Sequence, residues 1–154
     1  MLHNWRVWLY AAGGWLILAG IAHLGWHVWA YVMERGMIGQ TDFAMSAMKQ
    51  ALSTDPLQPS LWGQFRVFSA SFGLLLLFAG CIDVVLAWTR ASRATTASFA
   101  LFGTLFWTVA FLVFVAIDPV IQPILVSAVA VPMHTIAWLT ATHGKERQAS
   151  AARR

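Results

Sequence analysis

Four uncharged runs divide the chain: Val7 to Met33, Val67 to Thr89 broken once by Asp83, Ala94 to Ile117, and Pro119 to His143, of 27, 23, 24 and 25 residues. A helix crossing about 30 Å of hydrocarbon needs about 20 mostly apolar residues, so each run suffices for one pass and none for two. Stretches such as Leu74-Leu75-Leu76-Leu77-Phe78 put apolar groups on every face, which fits a lipid-embedded helix and not the alternation of a barrel strand. The pattern predicts transmembrane helices at about 7–33, 65–89, 94–117 and 120–142, forming one domain over 1–143. The first run continues past the roughly 7–15 apolar residues of a signal-peptide core, so it is read as a retained span.

Lipid is as apolar as leucine, so helix contacts within it are marked by small and polar residues. In the second span Arg66, Ser69, Gly73, Leu76, Gly80, Asp83 and Ala87 recur at alternating spacings of three and four. Pro123, Ser127, Ala130, His134, Ala137 and Ala141 do the same in the fourth. The first span has a looser stripe of Ala12, Leu16, Ala19, His23 and His27, and the third offers Ala100, Thr104 and Thr108. Such stripes predict an all-α fold, an integral membrane antiparallel four-helix bundle. Between spans 1 and 2 the segment 34–60 carries a short amphipathic surface helix, capped by Thr41, with Phe43, Ala44, Ala47, Met48, Ala51 and Leu52 on one side. Asp55-Pro56 and Gln58-Pro59 then break the chain, and Ser60 is placed to cap the second span.

Composition agrees with a lipid environment: 59% of residues are hydrophobic and only 10% charged, against about 25% charged in an ordinary soluble domain. The basic residues flank the spans. With the N-terminus cytoplasmic, Arg6, Arg90, Arg93, Lys145, Arg147, Arg153 and Arg154 lie inside, and Arg35, Lys49 and Arg66 outside. This asymmetry favours both termini in the cytoplasm. Trp5, Trp8, Trp29, Tyr31, Trp62, Trp88 and Trp138 fall near span ends, where amphipathic rings prefer the headgroup region. The tail 144–154 is basic, polar and expected to lack structure. Its charge, like that at the span ends, is assigned to topology and anionic lipid, and no nucleic-acid partner is expected. A lone Cys81 inside the second span excludes a disulfide framework and a dithiol pair.

Ionisable groups within the membrane are the functional candidates, and there are four: His23, His27, Asp83 and His134. His23 and His27 stand one helical turn apart, so both imidazoles can face one ion or pack across the bundle. Their motif, H-L-G-W-H, lacks the glutamate of a hydrolytic zinc site, so no metal is assigned. A bis-histidine haem is excluded by depth, because His23 and His134 differ by roughly 13 Å in level at 1.5 Å per residue. A single-histidine haem or chlorin, or a bound lipid, stays open. Asp83 and His134, by contrast, fall at nearly equal depth on the small-residue faces of their helices, so a structural polar pair is expected there.

The stretch Ala22-His23-Leu24-Gly25-Trp26-His27, with the later Pro59-Ser60-Leu61-Trp62 and Phe65-Arg66-Val67-Phe68-Ser69, resembles a family of small bacterial four-span membrane proteins of uncharacterised activity. The resemblance covers roughly the first 90 residues and implies the same four-helix membrane fold. It also implies the inner membrane of a bacterium as the setting and, where the matching residues cluster, that His23, His27, Arg66 and the loop from Asp55 to Trp62 meet at the outer face.

Three functions follow in order of parsimony. The first is a noncatalytic membrane protein, an accessory or assembly subunit of a larger complex, whose partners are the bilayer and other membrane proteins or further copies of itself. The second is a binding protein for a lipid, pigment or other apolar cofactor, with His23, His27 and Arg66 as polar contacts. The third is a small membrane enzyme using the same three residues.

Overall fold

A computed structural model describes residues 4–33, 43, 46–49, 60–89, 91–117 and 120–151, with side chains among them as far as His143. Four long helices account for most of these residues. They are α1 (Trp5–His27, continued by a π-helical turn, Val28–Val32), α2 (Leu61–Trp88), α3 (Arg93–Ile117) and α4 (Ile121–Ala151). No strand occurs among the described residues. All four helices are long and apolar enough to cross a membrane, which makes the chain a multi-pass membrane protein by length and composition.

The helix ends follow capping chemistry more than hydropathy. The Ser60 hydroxyl accepts the Gly63 N–H at 3.1 Å, so α2 starts at Leu61, earlier than the expected 65. Counting uncharged residues misses this start because Arg66 interrupts the run. Ser92 caps α3 in the same way, accepting the Thr95 N–H at 3.1 Å. Helix α4 runs on to Ala151, so the expectation of a structureless tail from 144 is corrected. Lys, Glu, Arg, Gln and Ala in that stretch are strong helix formers and extend a helix already nucleated. Of the expected surface helix, Phe43 and Ser46–Lys49 are helical; its other residues, with Thr41 and the Asp55 to Pro59 breaks, lie outside the described residues.

The chain forms two compact units, Met1–Ile17 with Phe78–Arg154, and Leu18–Leu77. In the first unit, Trp5 and Leu9 of α1, Ala87 of α2, Ala100 of α3, and Ala137 and Ala141 of α4 make one buried cluster. It joins the start of α1 and of α3 to the late parts of α2 and α4, so successive helices alternate in direction. This is the packing of an antiparallel four-helix bundle. Alanines at the centre let the backbones approach, and Gly13 and Gly80 bring α1 and α2 closer still. A Cβ on Gly13 would lie 2.7 Å from the Gly80 carbonyl oxygen, and one on Gly80 would lie 2.6 Å from that of Gly13. Trp15 Nε1 donates to the Val126 carbonyl at 3.2 Å, tying α1 to α4. The Arg93 guanidinium donates to the Thr140 carbonyl at 3.1 Å and ties α3 to α4.

The second unit pairs the late part of α1 with the early part of α2. Here Gly20 takes the corresponding place, its missing Cβ 2.9 Å from the Gly73 carbonyl oxygen.

Two expectations about packing are corrected. The buried face of α3 is Thr96, Ala100, Gly103 and Trp107, not Ala100, Thr104 and Thr108. Thr104 and Thr108 donate to carbonyls one turn back, at 2.9 and 2.7 Å, which satisfies their hydroxyls without a neighbouring helix. Trp5 and Trp62 are core residues, 9% and 6% exposed, whereas Trp29 and Trp88 keep the outward position expected of an interfacial belt.

Candidate functional site

Among the described residues, each unit brings histidine side chains into a polar contact between helices. In the first unit, α4 buries His134 and α2 buries Asp83. The His134 ring is anchored at both nitrogens: Nδ1 donates to the Ala130 carbonyl at 2.8 Å, and Nε2 meets Asp83 Oδ2 at 3.1 Å. A carbonyl only accepts, so Nδ1 carries a proton. The second contact then holds one more proton, either on the imidazole facing a carboxylate or on a carboxylic acid donating to a neutral imidazole. The pair is electrically neutral in both forms, which lowers the cost of placing an acid in lipid. Gly103 of α3 makes the space for the ring, because a Cβ there would overlap His134 Cδ2.

The second unit assembles His23, His27 and Ser69. The imidazoles sit one turn apart on α1 and converge on a single serine of α2. His23 Nε2 donates to the Ser69 carbonyl at 3.0 Å and lies 3.1 Å from its hydroxyl oxygen. The hydroxyl lies 3.0 Å from His27 Nδ1 and forms a hydrogen bond with it in which either atom can be the donor. Arg66 is half-buried on α2 and within electrostatic range of His27.

Aromatic rings enclose this cluster. Phe72 meets His23 edge to face at 5.2 Å between centroids. The π-helical turn carries Tyr31 onto His27 at 5.5 Å and against Trp62 and Phe65 at 5.6 and 5.2 Å. Trp62 and Phe65 stack at 5.8 Å, and the Lys49 ammonium stands 6.0 Å from the Trp62 ring. Among the described residues of this unit, two buried polar atoms have no hydrogen-bond partner, His23 Nδ1 and Trp62 Nε1.

The chemistry available differs between the clusters. The first is a closed clasp with every imidazole nitrogen engaged. The second keeps an unused acceptor on His23 and a cation nearby. Among the described residues no three His, Cys, Asp or Glu side chains are gathered as a metal would need. His27 is 6% exposed, with the Tyr31 ring edge to face against it.

The structure thus brings His23 and His27 together, with Arg66 beside them, and separately joins Asp83 to His134. Sequence reasoning missed Ser69 as the common partner of two histidines and Gly103 as the housing of a third. Gly103 was detectable, since it lies three residues after Ala100 on the same helical face. No family model, curated protein or solved structure matches the chain.

Proposed function

We propose that the chain is a noncatalytic integral membrane protein that serves as an accessory or assembly subunit of a larger membrane complex. The observation that carries this reading is that the membrane-embedded histidines make their contacts inside their own unit. His134 is tied at both nitrogens, and His23 and His27 share one serine. Such groups organise helices. The outward faces instead carry large apolar side chains, among them Phe68, Leu75, Phe78, Phe102 and Phe106. These suit lipid and the apolar face of another membrane protein, or of a second copy of this chain. The setting is the cytoplasmic membrane of a bacterium with both termini inside, supported by the excess of basic residues on that side and by the resemblance of the first 90 residues.

A second reading is a binding protein for a lipid, pigment or other apolar cofactor at His23, His27 and Arg66. It is favoured by the two buried atoms without partners, His23 Nδ1 and Trp62 Nε1. Native mass spectrometry after gentle solubilisation from the source membrane separates the two. Additional protein masses support the accessory subunit. A lone chain carrying a discrete small mass supports the binding protein, provided that the mass is lost from the H23A/H27A variant.

A further inference from the structure

The contact between Asp83 and His134 fixes a number of protons. His134 Nδ1 faces the Ala130 carbonyl at 2.8 Å, and Nε2 faces Asp83 Oδ2 at 3.1 Å. A carbonyl supplies no proton, so the first contact needs one on Nδ1. The second needs one between imidazole and carboxylate, on either atom. The two side chains therefore hold two protons when both hydrogen bonds are made. With one proton fewer, one contact must fail. If Nδ1 keeps its proton, a lone pair of Nε2 faces the carboxylate; if the ring takes the other tautomer, a lone pair of Nδ1 faces the carbonyl. The loss also leaves a net negative charge on residues that are only 2% and 7% exposed, for His134 and Asp83.

The other helices meet the pair through glycines. A Cβ on Gly13 of α1 would lie 3.0 Å from Asp83 Cβ, and Gly103 of α3 makes room for the His134 ring. The charged residues of those helices within this unit, Arg6 and Arg93, stand seven and ten residues from these glycines, about 10 and 15 Å along the axis. From Phe78 to Trp88, α2 carries no charge besides Asp83. On α4, His143 stands nine residues beyond His134, about 14 Å. The other acids of this unit come later still: Asp118 follows the end of α3, about 21 Å of helix beyond Gly103, and Glu146 stands about 18 Å along α4 from His134. Tyr10 and Cys81 are nearer in sequence, and both are exposed.

We propose that Asp83 and His134 form an intramembrane proton-binding site, filled when α2 and α4 pack together and emptied when they part. In the unfolded chain the two residues titrate singly, the carboxyl group near about pH 4 and the imidazole near about pH 6.5. Above about pH 7.5 they then keep one proton between them, whereas the packed pair keeps two. Folding takes up one proton in that range, so alkali favours the unfolded chain, and the unfolding equilibrium constant rises about tenfold for each pH unit. Between about pH 5 and pH 6 both states hold two protons, and the dependence disappears.

The test uses the full chain in a C81S background, which removes a thiol that titrates in the same range. Unfolding by dodecyl sulfate at about pH 8.5, from weakly buffered micelles of a mild detergent containing a pH-sensitive dye, should release about one proton per chain. In D83N the asparagine amide donates to His134 Nε2 without an additional proton, so this variant should stay folded and release none. Reversible unfolding followed by circular dichroism between about pH 7.5 and pH 9 should show the tenfold dependence with the unmutated pair and not with D83N, which retains every other titrating group. Should D83N not fold, D83L/H134L, with apolar side chains in place of both partners, serves as the comparison. An unmutated pair that releases no proton overturns the site. So does equal release from D83N or D83L/H134L, which would assign the proton to another group.

Discussion

Replacing Gly103 with alanine adds one methyl group at the point where α3 faces the His134 ring. The new carbon would overlap His134 Cδ2 and lie 2.8 Å from Nε2 and 2.9 Å from Cγ. The ring has little freedom to yield, being 2% exposed and held at 2.8 Å by Ala130 and 3.1 Å by Asp83. If α3 withdraws, the cost is that of overpacking, about 1–3 kcal/mol. If the ring swings away, the hydrogen bond between helices is lost, worth about 0.6–2 kcal/mol. Asp83 then stays buried without its donor, at a further cost of about 1–3 kcal/mol. The better helix propensity of alanine returns up to about 1 kcal/mol. The net expectation is a loss of about 2 kcal/mol, or roughly thirty-fold in the folding equilibrium.

Reversible unfolding in mixed micelles of a mild detergent and dodecyl sulfate, followed by circular dichroism, measures this directly. G14A is the control, because no atom beyond its own stretch of helix lies within 4 Å of the position its Cβ would take. It should cost nothing. The decisive comparison is a cycle with H134A: once the ring is gone, the methyl group has room, and the penalty of G103A should vanish. A G103A penalty of equal size with and without the His134 ring would refute the reasoning, as would no penalty in the unmutated protein.

Three other outcomes are expected. G13A and G80A should each destabilise the protein more than G14A, because their Cβ atoms meet backbone oxygens at 2.7 and 2.6 Å; equal midpoints in the same titration would deny the close crossing. D83N should cost less than about 1 kcal/mol, since the asparagine amide can donate to His134 Nε2, whereas D83L leaves that atom buried and unsatisfied at about 1–3 kcal/mol; equal stability of the two variants would show that the pair contributes nothing. S92A removes the cap of α3 and should cost about 0.5–2 kcal/mol, seen as faster amide hydrogen exchange in the first turn of that helix; unchanged exchange there would refute the cap.

The spans were readable because uncharged runs of 23 to 27 residues have few other uses. The stripes of α2 and α4 were readable because small residues are the main packing signal available in lipid. Threonine was misleading on α3, since it is small and polar yet satisfies itself on its own helix at Thr104 and Thr108. Tryptophan was misleading for a related reason. At a span end it serves the headgroup region or the core, and composition does not distinguish Trp62, buried, from Trp88, exposed. Depth along a span was legible by counting and the small-residue stripes gave the inward face, so Asp83 and His134 were expected to pair, and they meet at 3.1 Å.

How far two helices slide past each other is the step single-helix patterns leave out, and the glycines supply it for the second unit. Gly20 of α1 lies against both Gly73 and Leu77 of α2, and Gly73 lies against Leu24 and His23 of α1. Ser69, one turn before Gly73 in this antiparallel pair, therefore falls beside the turn of α1 that carries His27, one turn on from His23. The hydroxyl shared by both imidazoles is therefore a consequence of register: one close glycine contact fixes how the helices slide, and the serine is then the polar side chain available to both rings. A glycine pair that lets two backbones touch thus acts as more than packing, because it decides which polar residues meet a turn or two away.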